Sequence, residues 1–192
     1  MTPLDRFIRS LRERQAMPHI SRGARLLDVG CGDGHFLARL GPQIHDSVGI
    51  DPDAPSEAPT NGSGSALSTS SRYRLVRGRF PYDLDAIGQF DVVAMLAVFE
   101  HFSDVDRPRV VDACRRLLRP GGRVVMTVPA AAVDGIVHLL IALRLAEGMD
   151  IGSHHGYDPE ETPGLFSGFR LARRERFEFG LNHLFVLERT GT

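Results

Sequence analysis

The run Leu27-Asp28-Val29-Gly30-Cys31-Gly32-Asp33-Gly34 sets three glycines at alternate positions at the end of a short apolar stretch. Glycines so spaced let a chain leaving a strand turn sharply, and let its backbone approach a ligand more closely than any β-carbon permits. Seventeen positions beyond Gly34, Asp51 closes a second apolar run, Val48-Gly49-Ile50. An acid there is placed to accept both hydroxyl protons of a ribose. Together these residues describe an adenosine-containing ligand across the carboxyl ends of two neighbouring strands. The spacing is G-x-G-x-G, not the G-x-G-x-x-G of dinucleotide sites. A pyrophosphate wants a helix N-terminus clear of carboxylates, whereas Asp28 and Asp33 make this rim acidic. A ligand with a sulfonium and an ammonium group suits the rim, which counts against a nucleotide-cofactor oxidoreductase.

Such a turn needs strands beneath it. Apolar runs at Arg25–Val29, Asp46–Asp51, Tyr73–Arg77 and Phe90–Leu96 predict four, the last covered on both faces. Arg123–Val128 predicts a fifth, after Pro120-Gly121-Gly122 stops a helix over Pro108–Leu118. Leu4, Phe7, Ile8 and Leu11 fall at helical spacing and predict an amphipathic helix ended by Pro18, so residues 1–22 form a helical cap. His35–Leu40 and Ala130–Gly148 predict two more helices, and Arg170–Phe179 with His183–Arg189 a closing pair of strands. The alternation predicts an α/β fold over residues 1–192 as one domain: a Rossmann-like, doubly wound, mostly parallel sheet with a C-terminal antiparallel hairpin. Residues 54–71 are nearly all Ser, Gly, Pro, Thr and Ala, and predict a mobile loop where a crossover helix belongs.

All 23 basic residues are arginine. Without lysine there is no phosphate-loop lysine and no Schiff-base chemistry. A net charge of −1 argues against a phosphate-neutralising surface, so nucleic acid is not an expected partner. Cys31 and Cys114 read as free thiols of a reducing compartment. The longest apolar stretch, Gly135–Ala146, falls short of the roughly 20 residues that span a bilayer. The N-terminal arginines lack an apolar run beside them, so the expectation is a cytoplasmic protein without a membrane span. Oligomeric state is not legible.

In these blocks the chain resembles the class I S-adenosylmethionine-dependent methyltransferases, in particular the small single-domain kind known as methyltransferase type 11. The matching blocks are Leu26–Leu37, Val48–Pro52, Phe90–Phe102 with Glu100-His101, and Leu117–Pro129 with Leu118-Arg119-Pro120-Gly121-Gly122. The resemblance implies S-adenosyl-L-methionine as cofactor, held around Gly30, Cys31, Gly32 and Gly34. Asp28 would hold its ammonium, Asp51 its ribose hydroxyls, and Pro52 would lie beside the adenine. Leu96 would offer a backbone carbonyl to the ammonium, and Arg14 on the first helix would pair with the methionine carboxylate. Where relatives carry an acid near Gly78-Arg79-Phe80, this chain has Arg79, which leaves adenine recognition to backbone groups and Phe80. Residues 130–168 would be an insertion shaping the acceptor pocket, with His154, His155 and Tyr157 touching the substrate. Neutral charge and small size, with no separate protein-recognition domain, leave a small-molecule, sugar or lipid-linked acceptor, and the tail Phe177–Phe185 looks like that of small methyltransferases of glycan biosynthesis.

Single residues keep two readings each. His101 is a general base oriented by Glu100 or Asp104, or a histidine capping the next helix. His154, His155 and His183 lack the spacing of helical zinc sites and have no supporting cysteine, so no metal is expected. The Val133–Leu145 stripe is core packing or an apolar lid. A non-catalytic subunit with the same fold is the alternative to an enzyme.

Overall fold

The computed structural model describes residues 3–55, 72–84, 88–130 and 157–191. Seven strands make one sheet in the order β3-β2-β1-β4-β5-β7-β6. They are β1 (Leu26–Val29), β2 (Ser47–Asp51), β3 (Tyr73–Arg77), β4 (Phe90–Leu96), β5 (Leu118–Pro129), β6 (Phe169–Phe177) and β7 (Asn182–Arg189). The first five run parallel, while β7 lies antiparallel between β5 and β6. The predicted hairpin therefore forms with its second strand inserted into the sheet. The helices are α1 (Pro3–Ala16), α2 (His35–Leu40), α3 (Arg107–Leu117) and the single turn α4 (Thr162–Leu165).

Alternation along the strands sorts two cores. Leu27, Val29, Val93, Met95, Val124 and Met126 face α3 through Val110, Val111 and Cys114. Leu26, Val92, Ala94, Val125 and Leu184 face the other way, onto Ala16 and Ile20 after α1 and Phe36, Leu37 and Leu40 of α2. On β4, residues 92 to 95 are buried on both faces, as expected of a central parallel strand. The edge strand β6 is largely exposed and carries Arg170, Arg173, Arg174 and Arg176, charges that discourage edge-to-edge pairing.

Strand β5 departs from its predicted bounds. Phe90 pairs with Leu118 and Val92 with Arg123, so Pro120-Gly121-Gly122 is an irregularity within the strand's span. Gly121 takes the left-handed backbone (φ +74°) that lets the chain loop out and rejoin the same neighbour. Pro18 sits in a 3-10 turn, Met17–His19, that follows α1 directly. The loop predicted at 54–71 falls outside the described residues from 56 on, as does the helix predicted at Ala130–Gly148 from 131 on. Among the described residues, no helix is long and apolar enough to cross a membrane.

Candidate functional site

The carboxyl ends of β1, β2, β4 and β5 meet at one edge of the sheet, and the glycine turn lies there. Gly30, Gly32 and Gly34 all have positive φ (+74°, +53° and +79°). The Gly30 amide donates to the Ile50 carbonyl at 2.8 Å, which ties the turn to β2. The glycines serve different ends. A β-carbon on Gly30 would lie 2.3 Å from Val98 Cγ2, and one on Gly34 would lie 3.0 Å from Leu75 Cδ1. Among the described residues, nothing stands within 4 Å of the place where a Gly32 side chain would begin, so of the three it is Gly32 that opens onto free space there. Cys31 packs its sulfur beneath Gly49, and burial pushes its thiol well above the usual range, so it is inert packing.

The acids divide as sharply. Asp28 is 3% exposed and shares the α1–α2 face with Leu26. Its Oδ2 makes no hydrogen bond among the described residues. Burial, with Glu13 and Asp51 nearby, pushes its carboxyl up to about 8 from an ordinary 3.8. Asp51 is engaged: Oδ2 accepts from the Gly32 amide at 3.0 Å and Oδ1 from the Asp53 amide at 2.8 Å. Those two bonds use half of the roughly four lone-pair directions a carboxylate offers. Asp33 is drawn off by Arg9, whose Nη2 donates to Oδ1 at 2.6 Å. The acidic character of the rim therefore rests on Asp28, not on the pair predicted.

Helix α1 is bolted over this face by Glu13, 2% exposed. Arg39 Nη1 donates to Glu13 Oε2 at 2.8 Å, Arg9 Nε donates to Oε1 at 3.3 Å, and His35 Nδ1 lies 2.9 Å from Oε1. This clamp fixes the phase of the helix. Arg14 is exposed, whereas Arg12, about 200° around the helix, faces Glu100 and Glu178. The inward arginine is Arg12, a correction to the reading of Arg14 as the cofactor's partner.

Other predicted residues separate. Pro52 is exposed in the turn after β2, and Leu96 is half-buried at the end of β4, followed by Ala97 at φ +56°. Phe80 is 5% exposed and belongs to the core on the α3 side. Beside it Asp83 Oδ2 accepts from the Arg79 amide at 2.8 Å, and its Cβ leaves no room for a side chain on Gly78. His101 is exposed at the end of a 3-10 turn, Phe99–His101. Glu100 is buried within the electrostatic reach of Arg12, and Asp104 pairs with Arg107. Of the two acids expected to orient His101, Asp104 is thus committed elsewhere.

Tyr157 lies in the core instead of lining a pocket. Its ring meets Phe99 edge-on at 5.5 Å, the Arg107 guanidinium stacks 4.4 Å from its centroid, and its hydroxyl bonds Thr162 Oγ1 at 2.5 Å. Burial pushes that phenol up to about 12. His154 and His155 lie outside the described residues. His183 is buried and stacked on Phe185, and no metal-binding group of three side chains gathers among the described residues.

A buried carboxylate with an unpartnered oxygen, under a turn opening onto free space, fits a ligand that brings its own cation. Comparison with known proteins agrees. A family model described as a methyltransferase domain matches residues 3–174. A ubiquinone biosynthesis O-methyltransferase of Xanthomonas oryzae pv. oryzae (strain PXO99A) is 34% identical over 145 residues, covering 71% of this chain and 56% of its own. Its namesake in Xanthomonas campestris pv. campestris (strain B100) is 32% identical over 168 residues, covering 83% and 64%. The chain thus spans little more than half the length of the first of these relatives. The N-methyltransferase NodS of Bradyrhizobium japonicum WM9 shares the fold, with a TM-score of 0.64 at 13% identity over 99% of this chain and 98% of that one. So does the 1,6-didemethyltoxoflavin-N1-methyltransferase of Burkholderia thailandensis, at 0.66 and 21% over 94% and 77%. The chain belongs to the methyltransferase domain family, and its seven-stranded sheet has the fold of class I methyltransferases.

Proposed function

We propose that the protein methylates an oxygen atom of a small-molecule acceptor. The observation that carries the reading is Asp28: a carboxylate 3% exposed, one oxygen unpartnered, at the mouth of the glycine turn. When bound, S-adenosylmethionine supplies an electrophilic methyl group on a sulfonium. Asp28 holds the ammonium group, and Asp51 takes the ribose hydroxyls on the lone pairs that Gly32 and Asp53 leave. The Glu13 clamp keeps α1 closed over the site and excludes water, so orientation supplies much of the rate, up to about 7–11 kcal/mol in favourable systems. A hydroxyl acceptor must lose its proton. His101, exposed at the β4 end of the same edge, receives it at a ring nitrogen. Oxygen is favoured because the relatives that match along most of this chain are named O-methyltransferases. A sugar or lipid-linked form of the acceptor rests on the resemblance of the tail alone.

Calorimetric titration with S-adenosylhomocysteine, run beside oxidised nicotinamide dinucleotide, tests the cofactor. Micromolar binding of the first and none of the second is expected; the reverse, or silence from both, overturns the reading. Turnover is then measured on a panel of hydroxyl acceptors. His101→Ala is expected to abolish it while S-adenosylhomocysteine affinity stays within twofold. Surviving turnover would remove His101 as the base.

A further inference from the structure

Beyond β4 the same edge holds a second polar corner that the glycine turn does not use. Asn182, the first residue of β7, pairs in register with Pro129 at the end of β5, and its side chain is 3% exposed. Its Nδ2 donates to Glu178 Oε2 in the turn between β6 and β7. Among the described residues, Asn182 Oδ1 and Glu178 Oε1 then stay buried and without a hydrogen bond. Arg12 reaches the same corner from α1, in the field of Glu178 and Glu100, and its buried Nε is also unpartnered. Three buried polar atoms on three separate elements thus converge without a hydrogen bond among the described residues. Native proteins rarely tolerate such groups together. Glu178 is strained as well: its φ of +52° is a left-handed conformation that a non-glycine residue adopts at a cost, and such strain gathers at ligand sites.

We propose that Arg12, Glu178 and Asn182 bind the acceptor, and that they select a neutral group bearing a hydroxyl. This rests on the methyltransferase reading above and names the chemistry that the same edge recognises. A hydroxyl both donates and accepts. It matches a corner that offers one N–H donor, on Arg12, and two oxygen acceptors, on Glu178 and Asn182. An anionic group is turned away because the corner already holds two carboxylates, Glu100 and Glu178, against one guanidinium. Partial burial lifts the Glu178 carboxyl above its ordinary value, against the pull of Arg12 and Asn182, which is consistent with a carboxylate short of donors.

The test uses the full chain saturated with S-adenosylhomocysteine, with phenol as the neutral hydroxyl probe and benzoate as the anionic one. Nitrogen-15 spectra follow the Asn182 side-chain amide and the Arg12 Nε–H. Phenol is expected to shift both resonances saturably, and benzoate at equal concentration to leave them in place. Glu178→Gln and Asn182→Ala should each weaken phenol binding fivefold or more while S-adenosylhomocysteine affinity stays within twofold. If S-adenosylhomocysteine binds but phenol moves neither resonance, or benzoate moves them as far, the corner is not a hydroxyl site although the methyltransferase reading stands. If S-adenosylhomocysteine itself fails to bind, the reading beneath the proposal is the one that falls.

Discussion

The Gly32 amide donates to Asp51 Oδ2 at 3.0 Å, so the acid that ends β2 also holds the turn that follows β1. On the proposed function, one side chain both shapes the turn at Gly32 and meets the ribose. Asp51→Ala is expected to weaken S-adenosylhomocysteine binding at least tenfold, about 1.4 kcal/mol, by calorimetry. Asp51→Asn can orient its amide oxygen to accept from Gly32 but then sets its NH2 against the Asp53 amide, so it should keep the tie to the turn, lose the bond to Asp53 and lose charge-assisted bonds to the ribose. Unchanged affinity in both variants would put the ribose elsewhere.

The two glycines flanking Cys31 should fail differently. Gly30→Ala drives a β-carbon to 2.3 Å from Val98 Cγ2 at a positive φ, and should cost about 2–3 kcal/mol of stability. For a chain of this size that lowers Tm by roughly 4–12 °C. Gly32→Ala meets no atom within 4 Å, so its stability cost is confined to the backbone, about 1 kcal/mol. It fills the cofactor's space, and affinity should fall further than stability does.

Glu13 is the buried end of a clamp with Arg9, Arg39 and His35. Glu13→Ala removes three bonds, while Arg9 keeps Asp33 and Arg39 keeps Ser10, and should destabilise by about 1–2 kcal/mol, read by chemical denaturation. It should also weaken cofactor binding, because the phase of α1 is then less tightly held. A loss of stability without a loss of affinity would show that α1 does not close the site.

Asp28 gives the stability a distinct dependence on pH. Its carboxyl titrates near 8 in the folded chain and near 3.8 when unfolded. Between those values the native state holds a proton that the unfolded state has lost. Its contribution therefore falls as pH rises from about 4 to 8, by at most about 1.4 kcal/mol per pH unit, and levels off above. Asp28→Asn should flatten this part of the profile. Binding a ligand's ammonium favours the ionised form, so below pH 8 complex formation should release a proton. Titration in buffers of different ionisation enthalpy reads that release directly, and no buffer dependence would mean that Asp28 does not meet the cation.

The sheet and the first half of the site were legible because their signals are local. Apolar runs of strand length, punctuated by glycine and proline, set the bounds of β3, β4 and α2 to the residue, and alternate glycines before an acid-ended strand located the turn. That part of the sequence determines its structure through backbone conformation and short-range burial, which depend on few distant contacts. What remained needed the tertiary structure. Whether Arg12 or Arg14 faces inward depends on the phase of α1, and Glu13 settles that phase through Arg39 and His35 of α2. Tyr157 reads as a polar residue in a loop until Phe99 and Arg107 close on its ring. Glu178 and Asn182 carry no motif: they reach the end of β5 because β7 inserts between β5 and β6, a pairing decided by the packing of the whole sheet.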